Sequence, residues 1–194
     1  MLERSSPWEL LPVSAEAVRL VTERPGLELR SLRPEDGAAY ARLMWDNAAH
    51  LTRHGDYVDM VAASAEDHAA TFSAGDPLLN FGVYEDDRLV GRVELVVGEP
   101  PKYGLGYLLA EHACGRGLAT TALRALVRHA RSRLSATDLF AGVTRGNHPS
   151  VAVLRRLGFT RVASFDTYDR YHLDLITPGE VGSGPGSPPT PSGP

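Results

Sequence analysis

The periodicities of this sequence call for an α/β (α+β) fold: one mixed, mostly antiparallel central sheet with helices on both faces. Strand-like stretches at 79–84, 88–97 and 103–109 are joined by links too short to hold a crossover helix, so these three run as an antiparallel meander. A glycine-bearing loop and a strong amphipathic helix come next, and strand and helix signals alternate beyond them.

In chain order, residues 27–32 alternate apolar and polar side chains, the pattern of a half-buried strand. Pro34, Glu35 and Asp36 turn the chain and suit a first helical turn. Tyr40, Leu43, Met44 and Ala48 then recur at helical spacing, which predicts a helix to about Trp45. A second helix is expected over 65–72, ended by Gly75, Asp76 and Pro77. After the meander, Ala119, Ala122, Leu123, Leu126, Ala130 and Leu134 make an apolar stripe opposite Arg124, Arg128 and Arg131. The basic stripe reads as a solvated helix face. Residues 139–143 form a short strand, 147–157 a helix stopped by Gly158, and 160–165 with 168–175 a closing hairpin.

Composition narrows the function. The chain has 194 residues, 43% of them apolar, enough for one domain at 27–176 with a real core, an N-terminal extension at 1–26 and a Gly/Pro/Ser tail at 177–194. The tail cannot bury enough surface to offset its ordering entropy, so it is expected to be disordered. A formal net charge of -4 from mixed charges argues against nucleic acid or membrane as the main partner. Cys114 is the single cysteine, which excludes an internal disulfide and a cysteine-rich zinc site, and no metal is expected. No apolar run approaches the roughly 20 residues of a membrane-spanning helix, and charges through the first stretch leave no signal-peptide segment. The expectation is a cytoplasmic protein, monomer or homodimer.

The informative segment is Cys114-Gly115-Arg116-Gly117-Leu118-Ala119-Thr120, between a strand and a helix. Gly115 and Gly117 let the backbone bend sharply and approach a ligand closely. The helix start offers unpaired N–H groups and a partial positive charge, so a diphosphate is the natural guest, with Arg116 available at the rim. A ligand-free glycine connection is an equally open reading of these residues alone. A dinucleotide fingerprint is set aside: Asp138 lies about 20 residues beyond the glycines as that motif requires, but Thr120 replaces its third glycine. The preceding meander is also not the start of a βαβ unit.

A second signal, Asn147-His148-Pro149-Ser150 opening the next helix and Leu157-Gly158-Phe159 ending it, decides between these readings. With it, residues 27–175 resemble the GNAT superfamily of acyl-CoA-dependent N-acyltransferases, nearest to its ribosomal-protein N-terminal acetyltransferase branch. Gly117-Leu118-Ala119 fit the last three places of that family's Gln/Arg-x-x-Gly-x-Gly/Ala loop, although Cys114 stands in the Gln/Arg place. Asn147 and Ser150 match its Asn-x-x-Ser, and Gly106-Tyr107-Leu108-Leu109 resembles its Gly-Tyr-Trp-Leu strand.

The resemblance implies the GNAT fold, with a splayed parallel strand pair, and acetyl-CoA or a related acyl-CoA as co-substrate. Main-chain groups of Leu108, Leu109 and Ala110 would meet the pantetheine arm, and Cys114 to Thr120 the diphosphate. Asn147 would bond the pantetheine amide, besides reading as an ordinary helix N-cap. Ser150 would protonate or stabilise the departing thiolate. The acceptor is an amine on a small molecule, antibiotic or peptide N-terminus, covered by the segment with Asn47, His50, His54 and Asp56. It attacks the thioester directly in a ternary complex, so Cys114 reads as a packing residue. Many proteins of the family it resembles carry a Glu where this chain has Gly104, so the usual general base is missing. Glu94 on the neighbouring strand is the first substitute, with an outward-facing strand acid as the equal alternative; His172 and Tyr168 are weaker candidates. Two other functions stay open: an acyl-CoA sensor without catalysis, favoured by Gly104, and an aminoacyl-tRNA-dependent transferase.

Overall fold

The computed structural model describes residues 17–54, 57–74 and 79–176. The 177–194 tail, most of the 1–26 extension, and Asp56 lie outside these residues. Eight strands form one sheet in the order β1-β2-β3-β4-β5-β6-β8-β7. They are β1 Arg19–Val21, β2 Leu27–Ser31, β3 Asn80–Glu85, β4 Arg88–Glu99, β5 Lys102–Leu109, β6 Asp138–Thr144, β7 Thr160–Ser164 and β8 Tyr168–Asp174. The helices are α1 Gly37–Asp46, α2 Ala48–Leu51, α3 Val58–Ala62, α4 Ala65–Ala74, α5 Leu118–Arg133 and α6 His148–Arg156.

Every sequence-predicted element is present, within a few residues at its ends. Three others are not legible from periodicity. β1 pairs antiparallel with β2 from within the expected N-terminal extension. α2 and α3 are too short to display a helical repeat.

Side chains divide the sheet into two buried faces. Phe81 meets His129 of α5 edge-on at 5.3 Å, and the Tyr107 hydroxyl reaches the Ser150 carbonyl of α6, so α5 and α6 cover one face. On the other, Arg92 bonds the Tyr40 hydroxyl of α1 and the Met60 sulfur of α3. α4 packs on α1 through His68 and Phe72, whose rings flank Tyr40. Burial opposes the Arg92 charge, but Tyr40 and Glu94 beside it outweigh that and hold it firmly protonated.

β5 and β6 are the parallel pair, and their register covers only Lys102 with Asp138, Tyr103 with Leu139, and Gly104 with Phe140. Beyond Gly104 the two strands part. β6 stays paired with β8 as far as Thr144, and β5 with β4 as far as Leu109, so a wedge-shaped gap opens inside the sheet.

Candidate acyl-CoA site

The gap leads into a cavity of about 1020 Å³ lined by the glycine loop, the start of α6 and the segment after α1. Its floor follows from strand alternation. Ala110 donates its N–H to Val90, so along β5 the main-chain groups of Gly106 and Leu108 also face β4, while those of Leu105, Tyr107 and Leu109 face the gap. This corrects two expectations. Leu108 lines the cavity, but its main-chain groups belong to the β4 ladder. Ala110 is fully buried and off the cavity wall, its carbonyl accepting from Ala113. Leu109 lines the cavity with its main-chain groups toward the gap.

The loop is shaped as its glycines require. Gly115 and Gly117 have φ of +72° and +79°, a conformation side chains disfavour, and a Cβ on either would meet nothing within 4 Å. Gly117 caps α5, and the first helical bond there runs from Thr121 to Gly117, so the N–H groups of Leu118, Ala119 and Thr120 have no helical acceptor. All three residues line the cavity. Arg53 and Arg156 add full positive charge to its wall, and among the described residues no carboxylate lines it. Open space beside left-handed glycines, unspent amides and two arginines on the wall fit a diphosphate-bearing guest.

Arg116 is not part of that fit. Its guanidinium takes both oxygens of Glu85 at 2.8 Å, and Arg24 holds its carbonyl, so the side chain pins the loop to the end of β3. Cys114 lines the cavity with its Sγ donating to the Ala110 carbonyl and 3.6 Å from His50 Nε2. Burial, with Glu111 nearby, pushes its thiol pKa up and keeps it protonated. Asn147 and Ser150 both line the cavity, and Asn147 Oδ1 accepts the Ser150 N–H at 3.2 Å.

His50 and His54 line the cavity from the other side. Asn47 does not; its amide bonds Leu43 and its oxygen takes the Glu111 N–H, which staples the end of α1 to the turn before the loop. Glu94 is also off the cavity wall, its carboxylate held by Arg92. It lies over Gly106, where an added Cβ would stand 2.8 Å from Glu94 Oε1. Gly106 does line the cavity, so the Glu94 carboxylate stands over a residue of the wall where β5 carries no side chain.

Sequence reasoning passed over Arg53 and Tyr57. Tyr57 has φ of 61°, and its hydroxyl donates to the gap-facing carbonyl of Tyr107 at 2.9 Å. Both fall within the segment expected to cover the acceptor, but nothing in the local pattern marks either one.

Comparison with known proteins agrees with this geometry. Over 98 residues the chain is 31% identical to human alpha/beta-tubulin-N-acetyltransferase 9, covering 48% of this chain and 47% of that protein. Over 89 residues it is 35% identical to Probable N-acetyltransferase YjcK of Bacillus subtilis strain 168, covering 43% and 49%. The chain thus spans about half the length of these curated relatives. Among solved structures, the ribosomal L7/L12 alpha-N-protein acetyltransferase RimL in complex with coenzyme A superposes with a TM-score of 0.68 at 22% identity, over 78% of this chain and 96% of that one. Residues 26–160 match the family described as the acetyltransferase (GNAT) domain, and the chain, with its splayed β5–β6 pair and glycine-capped α5, belongs to that family.

Proposed function

We propose that this chain is an N-acetyltransferase that moves an acetyl or short acyl group from acyl-CoA to a primary amine. The observation that carries this reading is the glycine loop, opening α5 at the mouth of the β5–β6 gap with its amides unspent and Arg53 and Arg156 on the cavity wall. In it, Leu118, Ala119 and Thr120 offer main-chain N–H groups to the diphosphate, and Leu105, Tyr107 and Leu109 offer theirs along the gap to the pantetheine arm. Bound there, the thioester supplies the activated acyl carbon. A gap-facing N–H stabilises charge on the carbonyl oxygen as the amine attacks. Ser150, on the cavity wall, supplies a proton or hydrogen bond at the departing sulfur.

The acceptor favoured is an α-amine or another weakly basic amine. An α-amine, with pKa near 7.7–8.0, is about a tenth neutral at pH 7, whereas a lysine amine near 10.4 is neutral in only about one part in a few thousand. With Gly104 where many relatives carry an acid, an acceptor that needs little help with its proton fits better. RimL is named for α-N-protein acetylation, which supports the same class. Glu94 is the base in this reading, since its carboxylate lies over Gly106, a residue of the cavity wall. The activity is assigned to the cytoplasm because a single cysteine, Cys114, fits a reducing compartment.

Titration calorimetry with CoA, followed by acetyl-CoA with a panel of amines and a free-thiol readout, tests the reading. Glu94→Gln is expected to cut turnover by about a hundredfold or more with CoA affinity retained. Undiminished turnover in that variant removes Glu94 from the chemistry. The Arg92 grip on Glu94 favours a second reading, an acyl-CoA sensor, and tight CoA binding with no thiol release on any amine would establish it.

A further inference from the structure

The expected charged residue of the loop, Arg116, is committed to Glu85, which leaves the diphosphate without a cation from its own loop. One stands opposite. His50, in α2, lies 3.6 Å from Cys114 at the head of the loop. Arg53 follows just beyond that helix, lines the same cavity, and its guanidinium is 3.3 Å from Glu111 Oε1. The same oxygen is 4.0 Å from His50 Nδ1, a buried nitrogen with no hydrogen-bond partner. Glu111 is therefore an anion placed against two basic groups, yet too far from His50 to bond it. Its backbone N–H is anchored separately by Asn47, so the carboxylate can leave Arg53 without releasing the turn.

We propose that Arg53, backed by His50, is the second jaw of the diphosphate site, and that the Glu111 carboxylate holds the place a phosphoryl oxygen takes on binding. This rests on the acyl-CoA reading above. The loop amides clasp the diphosphate from the α5 side and Arg53 clasps it from the α2 side. A guanidinium suits that task because its planar fork meets two phosphoryl oxygens at once. Arg53 and Glu111 are 60% and 67% exposed, so the exchange of partners needs no repacking of the core.

The two members of this ion pair carry opposite expectations, which separates a binding role from a structural one. By calorimetry with CoA, Arg53→Ala is expected to weaken affinity about ten- to a hundredfold, the range of a charge-assisted bond to phosphate. The salt dependence of its affinity should also be shallower than that of the unaltered chain. Glu111→Gln frees Arg53 of its competitor and is expected to tighten CoA by roughly two- to fivefold. If Arg53 and Glu111 merely brace the turn, both variants weaken CoA alike, and that result overturns the proposal. The 3′-dephospho form of CoA should show the same losses, because it keeps the diphosphate; a loss confined to CoA would move Arg53 to the ribose phosphate and overturn it as well. Unchanged CoA affinity in Arg53→Ala, with a raised KM for the amine, assigns Arg53 to the acceptor instead. Failure of the unaltered chain to bind CoA at all is distinguishable from each of these, and defeats the transferase reading itself. Thermal midpoints of both variants, expected to match the unaltered chain, verify that they are folded.

Discussion

Asn147 accepts the Ser150 N–H through Oδ1, which leaves its Nδ2 as the donor for a guest in the cavity. Asn147→Asp keeps the acceptor and removes the donor. Its thermal midpoint should stay near that of the unaltered chain, while CoA affinity falls about three- to tenfold, the range of one hydrogen bond. Asn147→Ala removes both and is expected to cost about 1 kcal/mol of stability as well. Unchanged CoA affinity in Asn147→Asp would show that the side chain does no more than cap α6. This position was legible because an Asn three residues before a Ser is local helix grammar. Arg116 was not, since its partner Glu85 lies 31 residues away and nothing beside the glycines reveals that pull. Arg53 was hidden for the same reason: its place on the cavity wall is fixed by how α1 and α2 fold back onto the turn before the loop.

The loop and α5 were readable as a unit, because φ near +75° at two positions and an apolar helical stripe are constraints a sequence must display. Gly117→Ala tests the unit. A Cβ there meets no atom, so the variant should fold, losing about 1 kcal/mol for a left-handed side-chain residue. CoA affinity should fall further than that loss explains, as the methyl stands where the backbone must approach a phosphate; unchanged affinity would separate the loop from the ligand. β1 escaped notice for the opposite reason. Arg19, Leu20 and Val21 are three residues with a mostly exposed pattern, stabilised by pairing with β2 rather than by any periodicity of their own. The gap-facing alternation of β5 also lay beyond the sequence, because it depends on which residues pair with β4.

The order of strands and helices followed from periodicity and link lengths: two short turns forced the meander, and the meander, with Thr120 in place of a third glycine, set the dinucleotide fold aside. What the sequence could not show is how α4 seals the far face. His68 is only 4% exposed, bonded to the Met60 carbonyl and edge-on to Tyr40. Burial lowers its pKa below the ordinary 6.5. The sign follows from proton linkage: below 6.5 the unfolded chain takes up a proton that the folded imidazole resists. This contribution to stability is intact above that value and lost as the pH falls from it toward the folded pKa. Between about pH 7.5 and pH 5.5 the urea midpoint should drop, and in His68→Phe it should drop less. Parallel slopes in the two proteins would remove His68 as a source of the acid sensitivity.

The three-residue register between β5 and β6 has a mechanical consequence. β1 to β5 form one panel and β6 to β8 another, joined by a seam only as long as Lys102 to Gly104 and braced from behind by α5 and α6. An extended guest running up the open part of that seam would act as a splint, tying the panels through main-chain bonds that neither can make to the other.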